Sequence, residues 1–190
     1  MSSRLEETTL ASEVAYEGHF LKIRRDRVRM PDGRTSGREY VVHPGAAAIV
    51  PLFPDGRVLV ERQFRYPLRS TFVEIPAGKL DPGETSLQTA RRELTEETGY
   101  RAREWALLTR IHPAIGFADE FLDIFLARDL EQVGRQLDEG EFLEIDIVTL
   151  GWLMDELRAG RLTDVKTQIA VHWLDRLTSG QWDWPSFDLG

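Results

Sequence analysis

Between Gly78 and Tyr100 the chain reads GKLDPGETSLQTARRELTEETGY, and few structures satisfy that stretch. Asp81, Pro82 and Gly83 are the chemistry of a tight loop. Thr85 followed three residues on by Gln88 is a capping-box pattern, and Gly99 stands where a helix end favours a left-handed residue. A helix is therefore predicted between them, with Leu87, Ala90, Leu94 and Thr98 as its buried stripe. On that helix Glu93 and Glu97 share a face and Glu96 lies beside them. Carboxylates so close repel one another. They form either a solvated acidic face or a set of oxygen ligands for a hard divalent cation such as Mg²⁺ or Mn²⁺. The helix N-terminus beside Gly83 offers free N–H groups to an anion. Loop, helix and carboxylates together describe a metal-dependent diphosphate site.

The rest of the chain reads mostly as strands. The first ~15 residues look like a loose polar arm. GHFLKIRRDRVRM and REYVVHP, separated by PDGRTSG, form a predicted hairpin whose arginine-rich strands make a poor core and need a second surface to cover them. AAAIVPLF and RVLVERQFRY, joined through Pro54, Asp55 and Gly56, read as a second hairpin. Strands follow at TFVEIPAG, EWALLTRIHP, EFLDIFLARDL and FLEIDIVTL. Two helices close the chain, near 150–159 and 164–177, the second with Ile169, Trp173 and Leu177 on one face. The expected organisation is an arm and hairpin over residues 1–43 and a larger domain over 44–190. Strands with late-arriving helices point to α+β rather than to alternating βαβ units.

Composition narrows the function classes. A 42% hydrophobic share over 190 residues suffices for a core. The net charge of -8 disfavours an electrostatic grip on nucleic acid, but bound cations can reverse the sign of a local site. There is no cysteine, so thiol nucleophiles, thiolate metal sites and disulfides are excluded. With no signal-like or spanning apolar stretch, a cytoplasmic location without membrane contact is expected.

Gly78, Glu84, Arg92, Glu93, Leu94, Glu96, Glu97, Gly99 and Tyr100 occupy every defining position of the Nudix box, which this stretch resembles. The resemblance implies a Nudix α/β/α sandwich with a mixed sheet. It also implies Mg²⁺- or Mn²⁺-dependent hydrolysis of a nucleoside diphosphate joined to another group. The flanking stretches REYVVHPGAAAIVPL, ERQFRYP, EIPAGKLDPGE, HPAIGFADE and GRLTDVKTQIAVHWL are similar to bacterial ADP-ribose pyrophosphatases. The implied reaction is ADP-ribose to AMP and ribose 5-phosphate. GDP-mannose, a dinucleotide such as NADH, and a non-cleaving ADP-ribose sensor are the alternatives.

The resemblance also assigns residues. Glu93, Glu96 and Glu97 are the expected side-chain metal ligands, with the Ala77 backbone carbonyl beside them. Gly78, Glu84, Arg92 and Gly99 are structural, Glu84 pairing with Arg92. In the loop LDEGEFLEIDIV, Glu139 is the expected general base and Glu141 lies near a metal, with the exchange of those roles as the alternative. Arg65 would meet the diphosphate, Arg38 and Glu39 the nucleotide portion, and Gly116 and Glu120 the terminal ribose. Each of these has a surface or structural role as its alternative. His43 and His112 are read as structural, and Lys166 and Thr167 carry no evident chemistry. A homodimer across the N-terminal hairpin is expected, with a small nucleotide sugar as the other partner.

Overall fold

β-Branched and aromatic runs account for most of the strands, and their burial separates them into three sheets. The computed structural model describes residues 4–135, 137 and 142–189. Contacts divide the chain into two units, Met1–Pro44 with His112–Phe121, and Gly45–Ile111 with Leu122–Gly190.

The first unit is an antiparallel sheet in the order β1 (Thr8–Glu17), β2 (Lys22–Arg29), β3 (Thr35–Val42). The hairpin between β2 and β3 is as expected and turns at Gly33, whose φ of 86° suits glycine. The expected loose arm is instead a ten-residue strand, β1, paired along β2 from Thr8 to Glu17 with register shifts between Thr9 and Ala11 and between Val14 and Tyr16. Thr8, Thr9, Val14 and Tyr16 favour strand, but every residue of β1 is exposed, so no buried face marked it in the sequence. Among the described residues of this unit only Asp26 and Val28 are buried. The segment 112–121 joins β3 through a parallel bridge between Val41 and Ala118.

In the second unit a five-stranded sheet contains β4 (Ala46–Pro51), β7 (Ala77–Lys79), β8 (Tyr100–Ile111), β9 (Leu122–Gln132) and β11 (Asp188–Leu189), in the order β11-β8-β9-β4-β7. A three-stranded sheet runs β10-β5-β6, with β5 (Arg57–Arg65), β6 (Ser70–Glu74) and β10 (Leu143–Thr149). The expected hairpin of β4 with β5 does not form. β4 runs parallel to β9, and the neighbours in sequence meet through an isolated Leu52–Val58 bridge and a Phe53 N–H bond to the Arg57 carbonyl at 2.9 Å. The cause is legible in hindsight: all six residues of β4 are buried, and such an unbroken apolar run belongs in the centre of a covered sheet.

That central strand has helices on both sides. Ala47 and Ile49 meet Ala90 and Leu94 of α1 (Ser86–Thr98), together with Trp105 and Phe125. Ala46, Ala48 and Val50 face the opposite cluster with Val58, Val60, Leu153 of α2 (Leu150–Arg158) and Leu174 of α3 (Val165–Thr178). The α+β class and the layered sandwich are therefore present. On α3 the buried stripe is Thr167, Ala170, Val171, Leu174 and Leu177, leaving Ile169 and Trp173 at its margin. The aromatic tail packs back on this unit: Trp182 meets Trp173 edge-on at 4.7 Å, and Phe187 lies 3.9 Å from the Arg128 guanidinium.

Candidate active site

Helix α1 forms as its sequence requires. Thr85 accepts the Gln88 N–H while Gln88 accepts the Thr85 N–H, and Gly99 closes the helix at φ 75°. Before it, Glu84 N–H donates to the Asp81 carbonyl at 3.0 Å, and Gly83 takes φ 88°. This holds one face of α1 against β7. Ala77 N–H donates to Glu97 Oε2 at 3.1 Å, which fixes a buried carboxylate beside the backbone of residue 77. A Cβ at Gly78 would lie 1.8 Å from Glu93 Oε1, so only glycine leaves room for that carboxylate.

One guanidinium organises the rest. Arg92 Nε and Nη2 each reach Glu84 at 3.1 Å, while Nη1 donates to Glu93 at 2.7 Å and to Glu96 at 3.0 Å. Nη2 also reaches the Lys79 carbonyl at 3.2 Å, which ties the helix to the loop. The Arg92 hydrogen bonds, helped by the Thr89 hydroxyl, hold the Glu84 carboxyl down to about 2. Glu84 and Arg92 thus form a brace, and Gly99 caps the helix. The carbonyl of Gly99 accepts the Val133 N–H at 2.8 Å, tying the chain just past β9 to the end of α1.

Ala77, Glu93, Glu96 and Glu97 are thus gathered along the seam of α1 and β7. Their donors are all hard oxygens, partly or wholly withdrawn from water, and the set fits a hard divalent cation in chemistry. Among the described residues, no three acidic or histidine side chains by themselves converge to hold an ion, and Arg92 stands between Glu93 and Glu96. Glu139 and Glu141 lie outside the described residues.

Arg65, the expected diphosphate contact, sits at the end of β5 with Nε and Nη2 forked onto Glu74 at 2.7 and 2.8 Å. Burial alone would raise the Glu74 carboxyl, but hydrogen bonds from Arg65 and the charge of Lys166 hold it down to about 2. The sequence reading missed Glu74, Lys166 and Asp164 as one ionic group. A signal existed: a glutamate flanked by Val73, Ile75 and Pro76 implies a buried charge, which requires a partner.

The remaining expected contacts lie in the first unit. Arg38 donates to both oxygens of Glu7 and to the Gly37 carbonyl at 2.8 Å, and Glu39 accepts from Arg25 at 2.8 Å. Within this sheet both are paired with neighbours. Asp119 accepts the His43 N–H at 2.7 Å, and Glu120 lies 3.9 Å from the His43 imidazole. Gly116 has open space where a Cβ would stand, so no crowding there demands glycine.

Comparison with known proteins extends this geometry. Residues 42–167 match the family described as NUDIX domain, and residues 7–41 match one described as Nucleoside diphosphate sugar hydrolase N-terminal domain. An ADP-ribose pyrophosphatase of Bacillus subtilis is 42% identical over 172 residues, covering 90% of this chain and 93% of that protein. A Methanol dehydrogenase activator of Bacillus methanolicus is 39% identical, over 92% of this chain and 95% of its own length. A crystal structure of an ADP compounds hydrolase superposes with a TM-score of 0.83 at 24% identity, over 95% of this chain and 98% of that one; it is a likeness of fold. With the box complete, the sandwich in place and the domain matched across most of its length, the chain belongs to the Nudix hydrolase family.

Proposed function

We propose that this protein hydrolyses the pyrophosphate of ADP-ribose, giving AMP and ribose 5-phosphate, with Mg²⁺ (or Mn²⁺) as its cation. Nudix hydrolases use divalent metal cations. The observation that carries the reading is the pair Glu93 and Glu97, withdrawn from solvent against Gly78 and Ala77 on a helix that caps itself at both ends. The substrate assignment is supported by the Bacillus subtilis relative named for this activity.

Glu93, Glu96, Glu97 and the Ala77 carbonyl would hold the cation. When bound, it supplies charge neutralisation at the phosphoryl oxygens. The protein's own groups do the rest. Arg65 steadies the pyrophosphate, since a guanidinium matches paired phosphate oxygens. Glu139 would take the proton from the attacking water and Glu141 would help hold the cation, or the two would exchange those roles. Arg38 and Glu39 take the nucleotide, and Gly116 and Glu120 the terminal ribose. Residues 1–43 act as a separate dimerising piece, the enzyme works as a homodimer, and it resides in the cytoplasm.

The test is a substrate panel of ADP-ribose, NADH, GDP-mannose and diadenosine polyphosphates with Mg²⁺, compared by kcat/KM and repeated with chelator. The expected result is highest kcat/KM on ADP-ribose and no turnover with chelator. A higher value on GDP-mannose or NADH would reassign the substrate. Tight ADP-ribose binding without AMP release would make the protein a sensor.

A further inference from the structure

Glu74 ends β6 with its side chain 6% exposed, and three elements meet on it. From β5, Arg65 forks onto both carboxylate oxygens at 2.7 and 2.8 Å. From α3, the Lys166 ammonium donates to Oε2 and lies 3.1 Å from Asp164, the cap of that helix. Asp164 Oδ2 accepts the Thr167 N–H at 3.0 Å and the Thr167 hydroxyl at 2.6 Å. That same hydroxyl oxygen accepts the Ile75 N–H at 2.9 Å. The first turn of α3 therefore grips residues 74 and 75 through both side chain and backbone, just ahead of Ala77.

Such a group is poorly explained by stability. Apolar side chains of the same volume serve a core as well as a buried ion network does. Its outlet is Arg65, whose side chain is 43% exposed at a cleft of about 400 Å³ shared with Leu68, Phe72 and Val165. Two of the three guanidinium nitrogens are committed to Glu74, while Nη1 has no hydrogen-bond partner among the described residues. An arginine on a flexible stem loses rotamer freedom when it binds an anion, and a fixed fork removes that cost beforehand. Lys166 is itself paired with Asp164, so the four-membered group is neutral overall; what it supplies is a fixed position for the Glu74 carboxylate and, through it, for the Arg65 fork.

We propose that Lys166 and Glu74 are positioning residues, which hold the Arg65 guanidinium so that Nη1 is presented to the substrate pyrophosphate. The proposal rests on the reading of Arg65 as the pyrophosphate contact, and its test separates the two.

Steady-state kinetics on ADP-ribose with Mg²⁺ are compared for the wild type, Arg65→Ala, Lys166→Met and the double variant, with circular dichroism as the folding check. Glu74→Gln, which keeps the side chain's shape, replaces Lys166→Met if that variant does not fold. Arg65→Ala and Lys166→Met should each lower kcat/KM about tenfold or more, chiefly through KM, and the double variant should fall no further than Arg65→Ala within about twofold. If the two losses multiply, or if Lys166→Met keeps normal kinetics while Arg65→Ala is impaired, the positioning role is overturned and the Arg65 contact stands. If Arg65→Ala is itself unimpaired, the Arg65 contact falls and takes the positioning role with it.

Discussion

Gly78 shows how little space separates a working carboxylate from a displaced one. A methyl group there would meet the tip of the Glu93 side chain at 1.8 Å, and a side-chain tip can rotate away more cheaply than a backbone can shift. Gly78→Ala is therefore predicted to fold with a thermal midpoint within a few degrees of wild type, while Mg²⁺-dependent turnover falls by about 10² or more because Glu93 is evicted. Calorimetry and kcat measured on the same preparation check this; a large loss of stability would mean that the backbone yields instead. Glu97→Gln removes charge but retains an oxygen that can accept the Ala77 N–H, now made at 3.1 Å. Its expected signature is an unchanged circular dichroism spectrum with kcat lower by orders of magnitude. Both predictions concern residues legible in the sequence, because a carboxylate repeat on a capped helix announces itself. Lys166 is not legible in that way, since its partner Glu74 lies 92 residues away.

Between elements, the same contrast explains which parts of the fold could be read. Helix α1 was readable because Thr85, Gln88 and Gly99 are local signals acting within one segment. Strand β4 was readable as a strand but not as a partner of β9, because pairing is set by burial on both faces and not by nearness in sequence. The junction of β5, β6 and α3 at Glu74 is of the second kind, and it makes a pH prediction. Glu74 faces Arg65 and Lys166, with Asp164 behind Lys166 and Glu61 opposite it across β5 and β6. Its carboxyl is depressed from 4.5 to about 2 in the fold, burial opposing the shift and Arg65 with Lys166 outweighing it. A depressed carboxyl stabilises the fold fully above its unfolded value and loses that contribution as pH falls through 4.5 toward about 2. Urea unfolding at pH 6 and pH 3 should show a smaller loss of stability in Glu74→Gln than in wild type. Equal losses would mean that Glu74 does not titrate as its partners require.

For the whole molecule, the strand β1 presents the strongest demand. Its ten residues are all exposed, among them Leu10, Val14 and Tyr16, and its neighbours in β2 are largely arginine. A three-stranded sheet with two buried side chains has too little apolar burial of its own to hold a ten-residue edge strand in register. A two-fold copy of the same surface would cover it, pairing acidic and basic side chains across the axis while burying Val14 and Tyr16. Sedimentation velocity should therefore give twice the chain mass at micromolar concentration. Val14→Asp should shift that distribution toward the single chain without unfolding the larger unit, whose core lies in β4, β9, α1 and α3. If dissociation also raises KM for ADP-ribose, the first unit contributes to substrate binding only in the assembled state, as the reading of Arg38 and Glu39 requires. If the monomeric variant keeps its KM, those two residues serve the sheet alone, through the Glu7 and Arg25 pairs they already make.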